Sequence, residues 1–171
     1  MKNLKIETNR LTITVFNKSM AEVVHLNSLD EDNNSFVPDE VFETIEKAEE
    51  TLVWLIGNYG SREPLVYPVL LKSGENIGYV QALPLGKRWE IGYHIAKPYT
   101  GNGYATEAVK AFLPVIMQYL QIKEIVGECL EGNIASRKVL EKCGFQLEFK
   151  GSGNYQGEKR EICKYIYSAA I

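Results

Sequence analysis

The chain has 171 residues, of which 45% are hydrophobic and 24% charged, and its formal net charge is −3. That composition is enough to bury a substantial core, and the acidic balance argues against nucleic acid as the main partner, because no basic stripe offsets it. Three cysteines and two histidines, with no C-x-x-C pair and no ligand spacing, exclude a disulfide framework and a zinc site.

Residues 1–5 lead into no apolar run, so the expectation is a cytoplasmic chain with reduced thiols. No apolar segment approaches the roughly 18 residues of a membrane span. Residues 11–16 alternate apolar and polar and read as a strand; Ser19 is placed to cap a helix reaching Leu29. Residues 30–39 are acidic and Asn-rich and read as a loop. Thr44 opens a second helix to about Asn58, with Leu52, Leu55 and Ile56 at helical spacing, and residues 60–64 break it. Residues 67–71 and 76–83 form a hairpin around the turn at 72–75, and residues 89–96 form the next strand. A long helix covers residues 104–120, with Pro114 expected to kink it and free the Lys110 carbonyl. A strand at 124–130 precedes a helix that opens at Asn133 and ends in Lys142-Cys143-Gly144-Phe145, a C-terminal pattern of cation, glycine and apolar anchor. Residues 145–150 and 161–167 pair as the last strands, with 151–157 a flexible loop over a cleft. There is no repeat and no linker. The reading is one α/β domain over residues 1–171, a mixed sheet with helices on both faces.

The stretch Tyr99-Thr100-Gly101-Asn102-Gly103-Tyr104-Ala105-Thr106-Glu107-Ala108 follows a strand and opens a helix. Bare backbone N–H groups and the positive end of the helix dipole converge there, which suits a phosphate. Gly101 and Gly103 permit the tight turn and a close approach. The loop lacks the Gly-Lys-Ser/Thr of a P-loop and the third glycine of a dinucleotide fold. With the Asn133-x-x-Ser136 helix ending in Lys142-x-Gly144-Phe145, this succession resembles the GNAT N-acetyltransferases, which use acetyl-coenzyme A. The opening Ile6-Glu7-Thr8-Asn9-Arg10-Leu11-Thr12-Ile13 is similar to the Rim-type branch, which acts on ribosomal-protein amino termini and on small amines. Two positions depart from the family: Thr100 stands where Arg or Gln is usual, and Leu140 where many members carry a Tyr that protonates the leaving thiolate.

The resemblance implies a central mixed sheet of about seven strands and direct transfer of acetyl from acetyl-CoA to a primary amine, either a small molecule or a protein N-terminus. The amides of Gly101, Asn102, Gly103, Tyr104, Ala105 and Thr106 would hold the pyrophosphate, and Arg137 and Lys138 could reach the phosphates. The strand edge at His94, Ile95 and Ala96 would take the pantetheine arm where the two parallel strands splay, with the Ile95 N–H as oxyanion donor. Asn133 would bond the arm, although Asn is equally a preferred helix N-cap. Ser136, one turn on, would donate to the thiolate, or else bond back to the Gly132 carbonyl. For the base there are two candidates. Glu90 matches a family glutamate at the start of the strand, and His94, on the same face, has the better intrinsic pKa. Glu107 in the helix's first turn reads as structural. Cys143 has no nucleophilic role to fill. Asp30, Glu31, Asp32, Asp39 and Glu40 make a negative rim that would suit a cationic acceptor or simply be solvated. A small dimer through edge strands is common in the family, so the resemblance allows a homodimer without fixing the oligomeric state. A module that binds acetyl-CoA as a sensor without turning it over is the alternative function.

Overall fold

Alternation of apolar side chains builds most of the sheet, and 3.6-residue periodicity builds the helices against it. The computed structural model describes residues 1–36, 40–61, 63 and 65–169, without the side chains of residues 32–34. Asp39 and the Asp32 side chain of the expected acidic rim, the Val37-Pro38 pair, and Arg62 and Pro64 of the expected helix break lie outside the described residues.

In chain order the strands are β1 (Ile6–Glu7), β2 (Leu11–Ile13), β3 (Leu65–Leu71), β4 (Asn76–Leu85), β5 (Arg88–Ile95), β6 (Glu124–Leu130), β7 (Gln146–Tyr155) and β8 (Glu158–Ser168). The α-helices are α1 (Ala21–Ser28), α2 (Glu31–Phe36), α3 (Ile45–Asn58), α4 (Tyr104–Leu120) and α5 (Ile134–Lys142). One eight-stranded sheet runs in the order β1-β2-β3-β4-β5-β6-β8-β7. Every neighbouring pair is antiparallel except β5 and β6. The crossover between those two is α4, as a parallel pair requires.

Alternation along β3 separates the two faces of the sheet. Tyr67 points to α4, where its ring lies 5.8 Å from that of Phe112, while Val66 points to the side of α1 and α3. The main core is on the α4 side, with Leu11, Ile13, Tyr67, Val80, Phe112 and Ile116 inaccessible to solvent. Four local expectations change. Ser19 caps nothing: it lies within a 3-10 turn at Lys18–Met20 and donates to Asn17 Oδ1 at 2.5 Å. The strand expected over 11–16 ends at Ile13. The acidic segment 30–39 contains a short helix, α2, whose last carbonyl, Phe36 O, accepts from Tyr155 Oη at 3.2 Å. Residues 151–155 are not a loop but the far end of β7, which pairs in register with β8 up to Tyr155 and Glu158. Thr44 does cap α3, accepting from the Lys47 N–H at 3.3 Å, and α4 is assigned as one helix through Pro114.

Candidate active site

The loop from Thr100 to Gly103 is held from behind, which leaves its amides facing outward. Gly101 and Gly103 have φ of 79° and 78°, conformations that a side chain rarely adopts. Asn102 ties its side chain back to the carbonyls of Tyr99 and Thr100, both at 3.1 Å. The Thr100 hydroxyl donates to the Lys97 carbonyl at 2.9 Å. Arg10 Nη1 donates to the Asn102 carbonyl at 2.9 Å, and its guanidinium lies 4.6 Å from the Tyr104 ring centre. The same arginine grips Glu107, with Nε and Nη2 each 2.6 Å from Oε2, and the Thr8 hydroxyl donates to Oε1 at 2.6 Å. Burial works against ionisation of Glu107, but the Thr8 and Arg10 hydrogen bonds hold its carboxyl below the ordinary value. Glu107 is therefore structural, as expected, and the Thr8-Asn9-Arg10 motif is its partner. Among the described residues, no intramolecular acceptor takes the N–H groups of residues 101–106.

β5 and β6 share a single paired register, Glu90 with Val126, and then part. In an antiparallel ladder the bonded pairs alternate, and the bond from Ala96 N to Ile77 O at 2.8 Å sets the phase. The N–H and C=O groups of Tyr93 and Ile95 therefore point away from β4, toward the gap. Ala96, expected on the same edge, commits its N–H to Ile77 and its carbonyl to Tyr99, so the open edge ends at Ile95. At the mouth of the gap, Glu90 Oε1 accepts from the Glu128 N–H at 3.2 Å. A side chain thus takes the bond that main chain would have made.

Around this gap lies a cleft of about 570 Å³ lined by Glu90, His94, Ile95, Ala105, Asn133 and Ser136 among others. Sequence positions from three elements meet there. Asn133 caps α5, its Oδ1 accepting from the Ser136 N–H at 3.0 Å, which leaves its –NH₂ group for another partner. Ser136 does not bond back to Gly132, whose carbonyl takes the Ile134 N–H. Its hydroxyl instead lies 2.9 Å from Tyr93 Oη, which also reaches the Ser136 carbonyl at 3.0 Å. Burial pushes the Tyr93 phenol well above its ordinary value, so it stays a proton donor. Tyr93 was not singled out from sequence; the available signal was one polar tip on the otherwise aliphatic Ile91–Ile95 face. Leu140 is 1% exposed and packs on Gly127, so position 140 is core. Arg137 is turned to β8, where its Nε donates to Tyr165 Oη at 3.2 Å, and Lys138 is exposed. Burial raises the Cys129 and Cys143 thiols to about 11, which leaves them protonated and inert.

The other face of β5 is polar. Burial, reinforced by the Glu128 carboxylate, pushes Glu90 up to about 7, against the pull of the Glu128 N–H and of Lys164. Lys164 itself pairs with Glu128 at 2.9 Å. Gln81 lies across Gly92, where a Cβ would come within 2.7 Å of Nε2, and that Nε2 donates to Glu40 Oε1 at 2.9 Å. His94 Nε2 is 3.0 Å from Asp30 Oδ2, with both side chains nearly enclosed. Of the expected rim, Glu40 thus lines the cleft as a bonded group, and Asp30 stands behind it as the partner of His94.

Comparison with known proteins agrees with this geometry. A family profile described as an acetyltransferase (GNAT) domain matches residues 10–146. An uncharacterized N-acetyltransferase of Bacillus subtilis, YnaD, is 27% identical over 148 residues, covering 85% of this chain and 84% of its own. The crystal structure of a GNAT-family acetyltransferase from Bacillus anthracis superposes with a TM-score of 0.82 at 25% identity, over 96% of this chain and 98% of that one. RimL, an L7/L12 alpha-N-protein acetyltransferase solved with coenzyme A, shares the fold with a TM-score of 0.78 at 19% identity, covering 96% and 98%.

Proposed function

The chain belongs to the GNAT acetyltransferases, and from that premise we propose roles for the cleft and a class of acceptor. The reaction is acetyl-CoA-dependent N-acetylation. The residues present fit that cosubstrate: free amides at 101–106 suit the pyrophosphate, and the open edge at Tyr93 and Ile95, with Asn133 opposite, suits a chain of amides. Bound there, the thioester supplies an activated acetyl carbon and a thiolate leaving group.

The protein's own groups do the rest. Glu90 accepts the proton that the amine gives up as its nitrogen forms the new C–N bond. An acid near 7 is half-ionised at neutral pH, which suits a base that must also be regenerated. The Ile95 N–H donates to the carbonyl oxygen as charge builds on it. The Ser136 hydroxyl, backed by the Tyr93 phenol, donates to the sulfur as the C–S bond breaks. The Tyr93–Ser136 pair thus stands in for the phenol that Leu140 cannot provide. His94, bonded to Asp30, positions the turn after α1. Arg137, bonded to Tyr165, and the exposed Lys138 do not line the cleft, so they take no part in this reading.

The acceptor is a cationic primary amine. The observation that carries this reading is the buried Glu90, with Glu40 and Glu128 beside it and Lys164 as the counter-charge bonded to Glu128. The test is thiol release from acetyl-CoA across amines, amino acids and short peptides with varied amino termini. Release that requires a primary amine is expected; release only with peptides would move the acceptor to a protein N-terminus. No release with any of them, together with a thermal shift from acetyl-CoA, would instead favour a sensor.

A further inference from the structure

A second cavity, of about 340 Å³, lies between α1, α3 and the sheet face formed by β3, β4 and β5. Its walls are mostly apolar, with Val24, Phe42, Leu52 and Trp54 on one side and Tyr79 on the other. It shares Glu40, Gln81 and His94 with the catalytic cleft, so those three side chains form the partition between the two. A volume of this order lies within the roughly 300–1,000 Å³ range of small-molecule sites. The cavity opens to solvent beside Trp54, which lines it and is exposed, so a small molecule has a way in. Tyr79 Oη is the one buried side-chain polar atom without a hydrogen-bond partner among the described residues. That oxygen has no accessible surface, so it packs behind the cavity wall, out of reach of an occupant.

The distribution of charge decides what could occupy both spaces. The Glu40 carboxylate stands at the partition, Asp30 backs it as the partner of His94, and Glu90 lies on the cleft side. Beyond the partition the lining holds neutral polar side chains, Asn27, Ser28, Thr51 and Asn76, but no carboxylate among the described residues, so a second ammonium there would give up its hydration for no counter-charge. We propose that this cavity is the acceptor-specificity site, and that it takes the apolar or aromatic body of a monoamine whose ammonium lies in the cleft. The inference rests on reading the cleft as the place of acetyl transfer.

The test compares methylamine, phenethylamine, tyramine and spermidine as acceptors for the wild type and Val24→Phe. In the wild type, kcat/KM for the two aromatic amines should exceed that for methylamine and for spermidine by at least tenfold. Val24→Phe, which fills the cavity, should remove that preference and leave methylamine within twofold. Thr51→Phe, which fills the cavity from α3, replaces the Val24 variant if that one does not fold. Binding is read separately from Trp54 fluorescence as phenethylamine is titrated without acetyl-CoA, since Trp54 lines the cavity and is 57% exposed. Turnover with the same selectivity in every variant, or a preference for spermidine, would overturn the cavity's role and leave the acetyl-transfer reading intact. Saturable binding that Val24→Phe abolishes, without turnover of any amine, would overturn the acetyl-transfer reading and uphold the cavity as an amine site.

Discussion

The two faces of β5 hold their polar groups in different ways. On the Ile91-Tyr93-Ile95 face the one polar side chain, Tyr93, meets a hydroxyl at the start of α5, and the rest is aliphatic packing. On the Glu90-Gly92-His94 face the polar groups are tied to distant elements: Glu90 to the β6 backbone, His94 to the residue after α1, and Gln81 across Gly92 to Glu40. The first face adjoins a short, locally encoded loop and helix cap. The second depends on the convergence of segments far apart in the chain. The lesson is that the proposed coenzyme side of this protein rests on local backbone geometry, and the proposed acceptor side on side chains brought together by tertiary folding.

That comparison can be broken from the coenzyme side first. Gly103→Asp brings in one of the few residue types enriched in the left-handed region, at some backbone strain, and the nearest atom to its Cβ is Arg10 Nη2, 3.7 Å away. It should therefore fold, yet it puts a negative charge among the free amides. Acetyl-CoA affinity, measured by calorimetry, should fall by roughly a hundredfold or more, the worth of one or two charge-assisted hydrogen bonds. Unchanged affinity would contradict the placement of the phosphate cradle.

The second prediction breaks the acceptor face. Glu90→Gln should lower kcat by roughly 10² to 10⁴ while leaving acetyl-CoA affinity as it was. In the wild type kcat/KM should rise tenfold per pH unit up to about 7, where Glu90 ionises, and then level. Stability should move the opposite way. The folded state holds the Glu90 proton more tightly than the unfolded chain does, so between about 4.5 and about 7 this residue makes stability fall as pH rises. Glu90→Gln should flatten that slope in urea titrations at pH 5 and pH 8. A slope identical to the wild type would mean that Glu90 is not the buried group responsible.

The smallest effect sharpens the comparison. Tyr93→Phe and Ser136→Ala should each lower kcat by no more than about tenfold, the value of a single neutral hydrogen bond. Because the two hydroxyls touch, the double variant should cost less than the product of the singles. Full additivity in a double-mutant cycle would show that they do not act as a pair.

Much of this molecule could be read along the chain. The hairpin, α3 with its Thr44 cap, α4, β6 and α5 were legible because each is announced by its own periodicity and end signals. α2 was not, because its Asp/Asn-rich sequence favours turns. Its Phe36 carbonyl is met by Tyr155, 119 residues later. The end of β7 was hidden by Gly151, Ser152, Gly153 and Asn154, poor strand formers that pair only because β8 runs beside them.

The same division holds at the site. Composition, the glycine loop and the Asn133 cap were settled by residue type and spacing alone, since a tight turn, a helix start and a row of free amides are properties of short segments. Glu90's raised pKa, the Tyr93–Ser136 pair 43 residues apart and the cavity behind Gln81 were decided only when β4, β5, β6, α1 and α5 came together. Desolvation, proton sharing and enclosed volume belong to groups that meet in space, and no window of neighbouring residues contains them.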